Sequence, residues 1–219
     1  MTPDYTLAAI KATETLIKYQ VKTAPVAPLP ILKSMPGVLC MSFDSVSKEI
    51  DADRKCVLSM LGEKNQDAVT IVNLVDGKKQ YLVTYNKMLS VNLFQRALAR
   101  ELGHIVLGHD GSKPEDVRNE EAKAFANHLL CPRPLIHLVE ATGIRITKEL
   151  LGNITGCYDL CLSCMRKLPA VDVPAELNRL VRDQFFPYVM NLFEFQRYAT
   201  IKDISAVADF GSYMDGYQE

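Results

Sequence analysis

The residues best able to do chemistry in this chain lie in ALARELGHIVLGHD, from Ala97 to Asp110. Positions four apart on a helix share a face, so Arg100 and His104 stand one above the other. They interrupt a stripe otherwise made of Leu93, Ala97 and Leu107, and polar groups on a buried stripe require partners. A second helical stretch offers the complement. Val117, Glu121, Phe125 and Leu129 recur at i+4, which sets one carboxylate inside an apolar row. Two such helices joined by a short loop can point their polar intrusions at each other.

Zinc peptidases need this kind of arrangement. HExxH on a helix places two imidazoles on one face as ligands, and the glutamate between them serves as general base for metal-bound water. A third ligand comes from a following helix. Here the motif reads Arg100-Glu101-Leu102-Gly103-His104, which agrees with HELGH at four of five positions. RELGHIVLGH followed by EAKAFANHLLCP resembles the ImmA/IrrE family, whose members carry HELGH, a further LGH and then EAxxFAxxLLxP. The resemblance covers the strands and hairpin before the motif, extends loosely through Ile144 to Arg166, and stops near Pro169.

It implies a zincin-like α+β fold, a small β-sheet with active-site helices and a C-terminal helix-turn-helix-like cluster. It also implies His104 as second zinc ligand, Glu121 as third, and Glu101 as the base that activates water. Family members cleave or inactivate helix-turn-helix repressors, often in mobile elements or stress responses, so the implied partner is a regulatory protein.

Arg100 departs from that pattern, standing where the first ligating histidine belongs. A guanidinium has no lone pair to donate and stays protonated. Held ~4 Å from a dication it would repel it by about 8 kcal/mol, twice the unit-charge value at an effective dielectric of ~20. Zinc is therefore expected to bind weakly or not at all, with Arg100 neutralising Glu121 in its place through a bidentate pair. Under the alternative, His109 or Asp110 supplies the missing ligand. His109 lies roughly 140° around a continuous helix from His104, so Gly108 would have to break that helix. Two functions follow from these alternatives: a pseudoenzyme that binds its partner without cutting it, or a zinc-dependent endopeptidase with a substitute ligand.

Other residues carry less. His128 follows Glu121 on a similar face but roughly 10.5 Å further along the axis, and it reads as a packing or rim residue. His137 has no evident partner. Cys157, Cys161 and Cys164 share one helical face and read as small apolar core residues rather than cluster ligands. Residues Ile144 to Lys167 could form a DNA-binding helix-turn-helix. Their few basic residues are interleaved with Glu149 and Asp159, so direct nucleic-acid binding is not expected.

Around these motifs, the spacing predicts a helix over Asp4 to Lys22 with Leu7, Ile10, Leu16 and Ile17 as its apolar positions. An extended Pro-rich connection follows. Strands are predicted at Gly37 to Phe43, Lys55 to Leu61, Ala68 to Val75 and Gln80 to Tyr85, the last two turning at Asp76-Gly77. Helices run from Ser90 to Gly108 and from Ser112 to Leu130, with Ser112-Lys-Pro-Glu115 as a capping box. Shorter helices are predicted at about 134–142, 147–152 and 155–168. The chain divides into a peptidase-like domain (1–142), a helix-turn-helix-like cluster (143–168) and a tail (169–219). A formal charge of −1 gives no general field for nucleic acid. With no export signal, no long apolar run and six cysteines, the sequence reads as a cytoplasmic protein with reduced thiols and no membrane partner.

Overall fold

The computed structural model describes residues 1–61, 67–156 and 171–199. In chain order these form α1 (Tyr5–Lys18), α2 (Pro28–Ser34), β1 (Val38–Ser42), α3 (Phe43–Glu49), α4 (Arg54–Leu61), β2 (Ala68–Val75) and β3 (Lys78–Tyr85). Five helices follow: α5 (Val91–Val106), α6 (Glu115–Leu130), α7 (Arg133–Ala141), α8 (Lys148–Thr155) and α9 (Ala175–Ala199). The fold is α+β, a small sheet packed beside helices.

The sheet has the order β1-β3-β2. β2 and β3 form the antiparallel hairpin that Asp76-Gly77 predicts, with Val75 opposite Lys78. Asp76 and Gly77 both take positive φ, +50° and +71°, as a type I′ turn requires. β1 lies parallel to the other side of β3, pairing Val38 with Tyr81 and Ser42 with Tyr85. A parallel pair needs a crossover, and α3 and α4 lie within that connection.

Three local expectations are corrected. The predicted strand over Lys55 to Leu61 is the helix α4, begun at Arg54; Asp53 Oδ1 accepts from the Cys56 amide at 2.7 Å, as an N-terminal cap does. An apolar run that short does not distinguish strand from helix by periodicity. Pro28 opens α2 instead of extending the Pro-rich connection, since proline suits the first helical turn. In α1 the buried face is Ala8, Ala9, Ala12 and Leu16, whereas Leu7 is exposed. Small side chains there let α1 lie close against α6.

The C-terminal α9 packs on α7 and α1. Val181, Phe185 and Val189 belong to the same core as Leu98, Leu102, Phe125 and Leu129. Gln184 strengthens the docking by donating to the backbone oxygens of Leu16 and Val21. The predicted helix over 155–168, with Cys157, Cys161 and Cys164, falls almost wholly outside the described residues, as does the C-terminal part of the helix-turn-helix-like segment beyond residue 156. No described helix is long and apolar enough to cross a membrane.

Candidate metallopeptidase-like site

α5 and α6 form the site, and Gly103 sets their separation. A Cβ at Gly103 would lie 3.1 Å from the Ala122 carbonyl oxygen and 3.0 Å from Phe125 Cδ1, so only glycine lets the helices approach this closely. His104 is the next residue on α5 and Glu121 precedes Ala122 on α6, which brings their side chains to the same seam.

The end of α5 supplies a third group. Gly108 takes φ +68°, the left-handed conformation that stops a helix. The Gly108 amide then donates to Ile105 O at 3.1 Å and the His109 amide to His104 O at 3.0 Å. These are the two bonds of a Schellman cap, and they fold His109 back over the last turn. Its ring meets that of His104 edge to face, with centroids 5.0 Å apart. The two Nδ1 atoms are 2.9 Å apart, and His109 Nε2 lies 3.0 Å from Glu121 Oε2. His104, His109 and Glu121 thus form a continuous row, with His109 in the middle.

Glu121 is almost fully buried and makes every bond its carboxylate can accept. Lys113 Nζ donates to both oxygens, at 2.7 and 2.8 Å, and the Asp4 backbone amide donates to Oε1 at 2.9 Å. The Glu121 Oε2–His109 contact completes the set. Burial would raise this carboxyl, but the bonds from Lys113, Asp4 and His109 and the lysine charge outweigh it and hold the group below its ordinary value.

The imidazoles are kept neutral. Burial, the His109 ring and the cations Arg100 and Arg118 push His104 down to about 4. His109 is lowered by burial, against the opposing pull of Glu121.

Glu101 faces the other way, toward the sheet. It is buried, and Thr70 Oγ1 on β2 donates to its Oε2 at 2.8 Å. Burial raises its carboxyl to about 7, against that hydrogen bond and the charge of Arg100. Arg100 itself is exposed and forms no hydrogen bond or ion pair among the described residues. The anticipated Arg100–Glu121 pair is therefore corrected, because the carboxylate is already saturated by Lys113 and an unpaired guanidinium is best left in water. His128 is buried, its Nε2 has no partner, and it is lowered to about 4 by burial and by Arg133.

Lys113, Thr70 and the Asp4 amide were not legible as site groups. Ser112-Lys-Pro-Glu115 reads as a capping box, yet α6 starts at Glu115 after Pro114 with no side-chain cap. Ser112 instead bonds Asp110 through its amide, at 3.1 Å. Arg118 Nε holds the loop by donating to Lys113 O at 3.1 Å. A lysine eight residues before a buried carboxylate was the available signal.

As arranged, these groups do not fit a zinc ion. His109 turns Nδ1 to His104 and Nε2 to Glu121, and the two nitrogens of one imidazole cannot converge on a single ion. The carboxylate is shared out among nitrogen donors. No three His, Cys, Asp or Glu side chains among the described residues are grouped to hold a metal.

No curated protein and no solved structure matches the chain. Residues 57–155 match the family model Peptidase_M78, the IrrE N-terminal-like domain. That span runs from α4 to α8 and contains Glu101, His104, His109, Lys113 and Glu121. Over these residues the chain is similar to the metallopeptidase-like proteins of the ImmA/IrrE family.

Proposed function

We propose that this protein uses the metallopeptidase fold to recognise a regulatory protein, such as a helix-turn-helix repressor, without relying on a bound metal. One observation carries this reading. The carboxylate that the family resemblance makes a zinc ligand is ion-paired within the chain by Lys113. The buried Glu101, with a pKa near 7 and a bond from Thr70, serves the packing of α5 on the sheet under this reading.

The test is metal analysis of protein purified under zinc-replete conditions, beside incubation with candidate repressors. Less than about a tenth of an equivalent of zinc, together with repressor binding and no cleavage, is the expected result. Stoichiometric zinc lost on His104→Ala would reject it.

A second reading, a zinc-dependent endopeptidase with His109 as substitute ligand, draws on the adjacency of His104, His109 and Glu121. It requires the loop after α5 to rearrange. Cleavage of a partner that stops on addition of a chelator would favour it.

A further inference from the structure

We propose that Lys113 is a tethered cation that takes the place of a metal ion at Glu121, and that it is the charged group a metal must displace from that carboxylate. The inference rests on the metal-independent reading above and goes further, because it names the residue that enforces it.

A carboxylate offers about four acceptor positions. In Glu121 they are taken by the Asp4 amide and Lys113 on Oε1, and by His109 and Lys113 on Oε2. An incoming cation must therefore remove a donor. The Asp4 amide is part of the backbone at the start of α1, where Asp4 caps the helix. The His109 side chain is 2% exposed and is pinned behind the Gly108 turn. Lys113 differs from both. Its side chain is 33% exposed although the carboxylate it meets is 1% exposed, so the ammonium reaches in from the surface along a flexible stem. Its backbone stays anchored by the Arg118 bond while the head group is free to rotate into water. Charge makes the exchange exclusive. A buried carboxylate needs one compensating cation, and an ammonium together with a dication at the same oxygens would repel.

Zinc affinity of the chelator-stripped full chain, read by competition with a chromophoric chelator, tests this directly. Lys113→Ala and Lys113→Met should bind zinc about a hundredfold more tightly than the wild type, the scale of breaking one side of a buried ion pair. Adding Glu121→Gln should cancel the gain. Equal affinity in wild type and both single variants, or a gain that survives Glu121→Gln, would overturn the proposal. If both single variants unfold without metal, zinc should restore their folded circular dichroism signal; no recovery overturns it equally. Metal content of the wild type separates the two readings. A zinc-loaded wild type defeats the metal-independent function, whereas a metal-free wild type with unresponsive Lys113 variants defeats only this inference.

Discussion

Gly103 lies so near Ala122 that a side chain added to it would sit 3.2 Å from the Ala122 Cα. This close approach of α5 to α6 lies beside His104 and Glu121, the residues that meet at the seam. Close packing of two helices through a glycine leaves no slack, because the neighbours here are backbone and the ring of buried Phe125.

Gly103→Ala should therefore destabilise the protein by about 1–3 kcal/mol, as overpacking does, despite alanine's better helix propensity. Urea denaturation checks this. A variant as stable as the wild type would mean that the helices separate without penalty.

Glu101 gives a pH signature. Its folded pKa is about 7 against an ordinary 4.5, so between those values the folded state keeps a proton that the unfolded chain has released. Its contribution thus favours folding at low pH, declines as pH rises through that interval and is flat above it. Glu101→Gln, neutral throughout, should gain roughly 3 kcal/mol over the wild type on going from pH 4.5 to pH 8. Denaturation of both proteins at the two pH values reads the difference. No change in the gap would place the Glu101 carboxyl in an ordinary, solvated setting.

The sign is opposite at His128. Its pKa falls from 6.5 to about 4, so as pH drops the unfolded chain binds a proton first and stability is lost across that window. His128→Leu removes both this loss and the unpartnered Nε2. It should stabilise by about 1–2 kcal/mol at neutral pH, with a wider margin near pH 5. Thermal melts at the two pH values would show it, and a destabilised variant would reveal a bond to the ring.

Arg100→His restores the histidine pair of the HExxH pattern, but Lys113 still occupies Glu121. Alone it should raise zinc affinity by less than about tenfold. Joined to Lys113→Ala it should gain more than the two single changes combined. A full gain from Arg100→His alone would show that the lysine offers no barrier.

The hairpin, both seam helices and the row Val117, Glu121, Phe125, Leu129 could be read from the sequence because periodicity and turn chemistry agree there. The contact between His104 and Glu121 by way of His109 was less legible. It depends on a single positive φ at Gly108, a backbone state that hydrophobic spacing does not encode. Lys113 was hidden more thoroughly, inside a segment that looks like a cap. The buried side of α5 also differs from the simple stripe: Leu93 is exposed and Glu101 is buried, since the helix meets the sheet as well as α6. α4 is too short for its apolar spacing to separate helix from strand.

The amide of Asp4 reaches the Glu121 carboxylate across 117 positions of sequence. Removing the chain through Asp4 would withdraw a donor from that oxygen. Preparations shortened through Asp4 therefore differ from the longer chain at this carboxylate, and their binding curves should not be pooled.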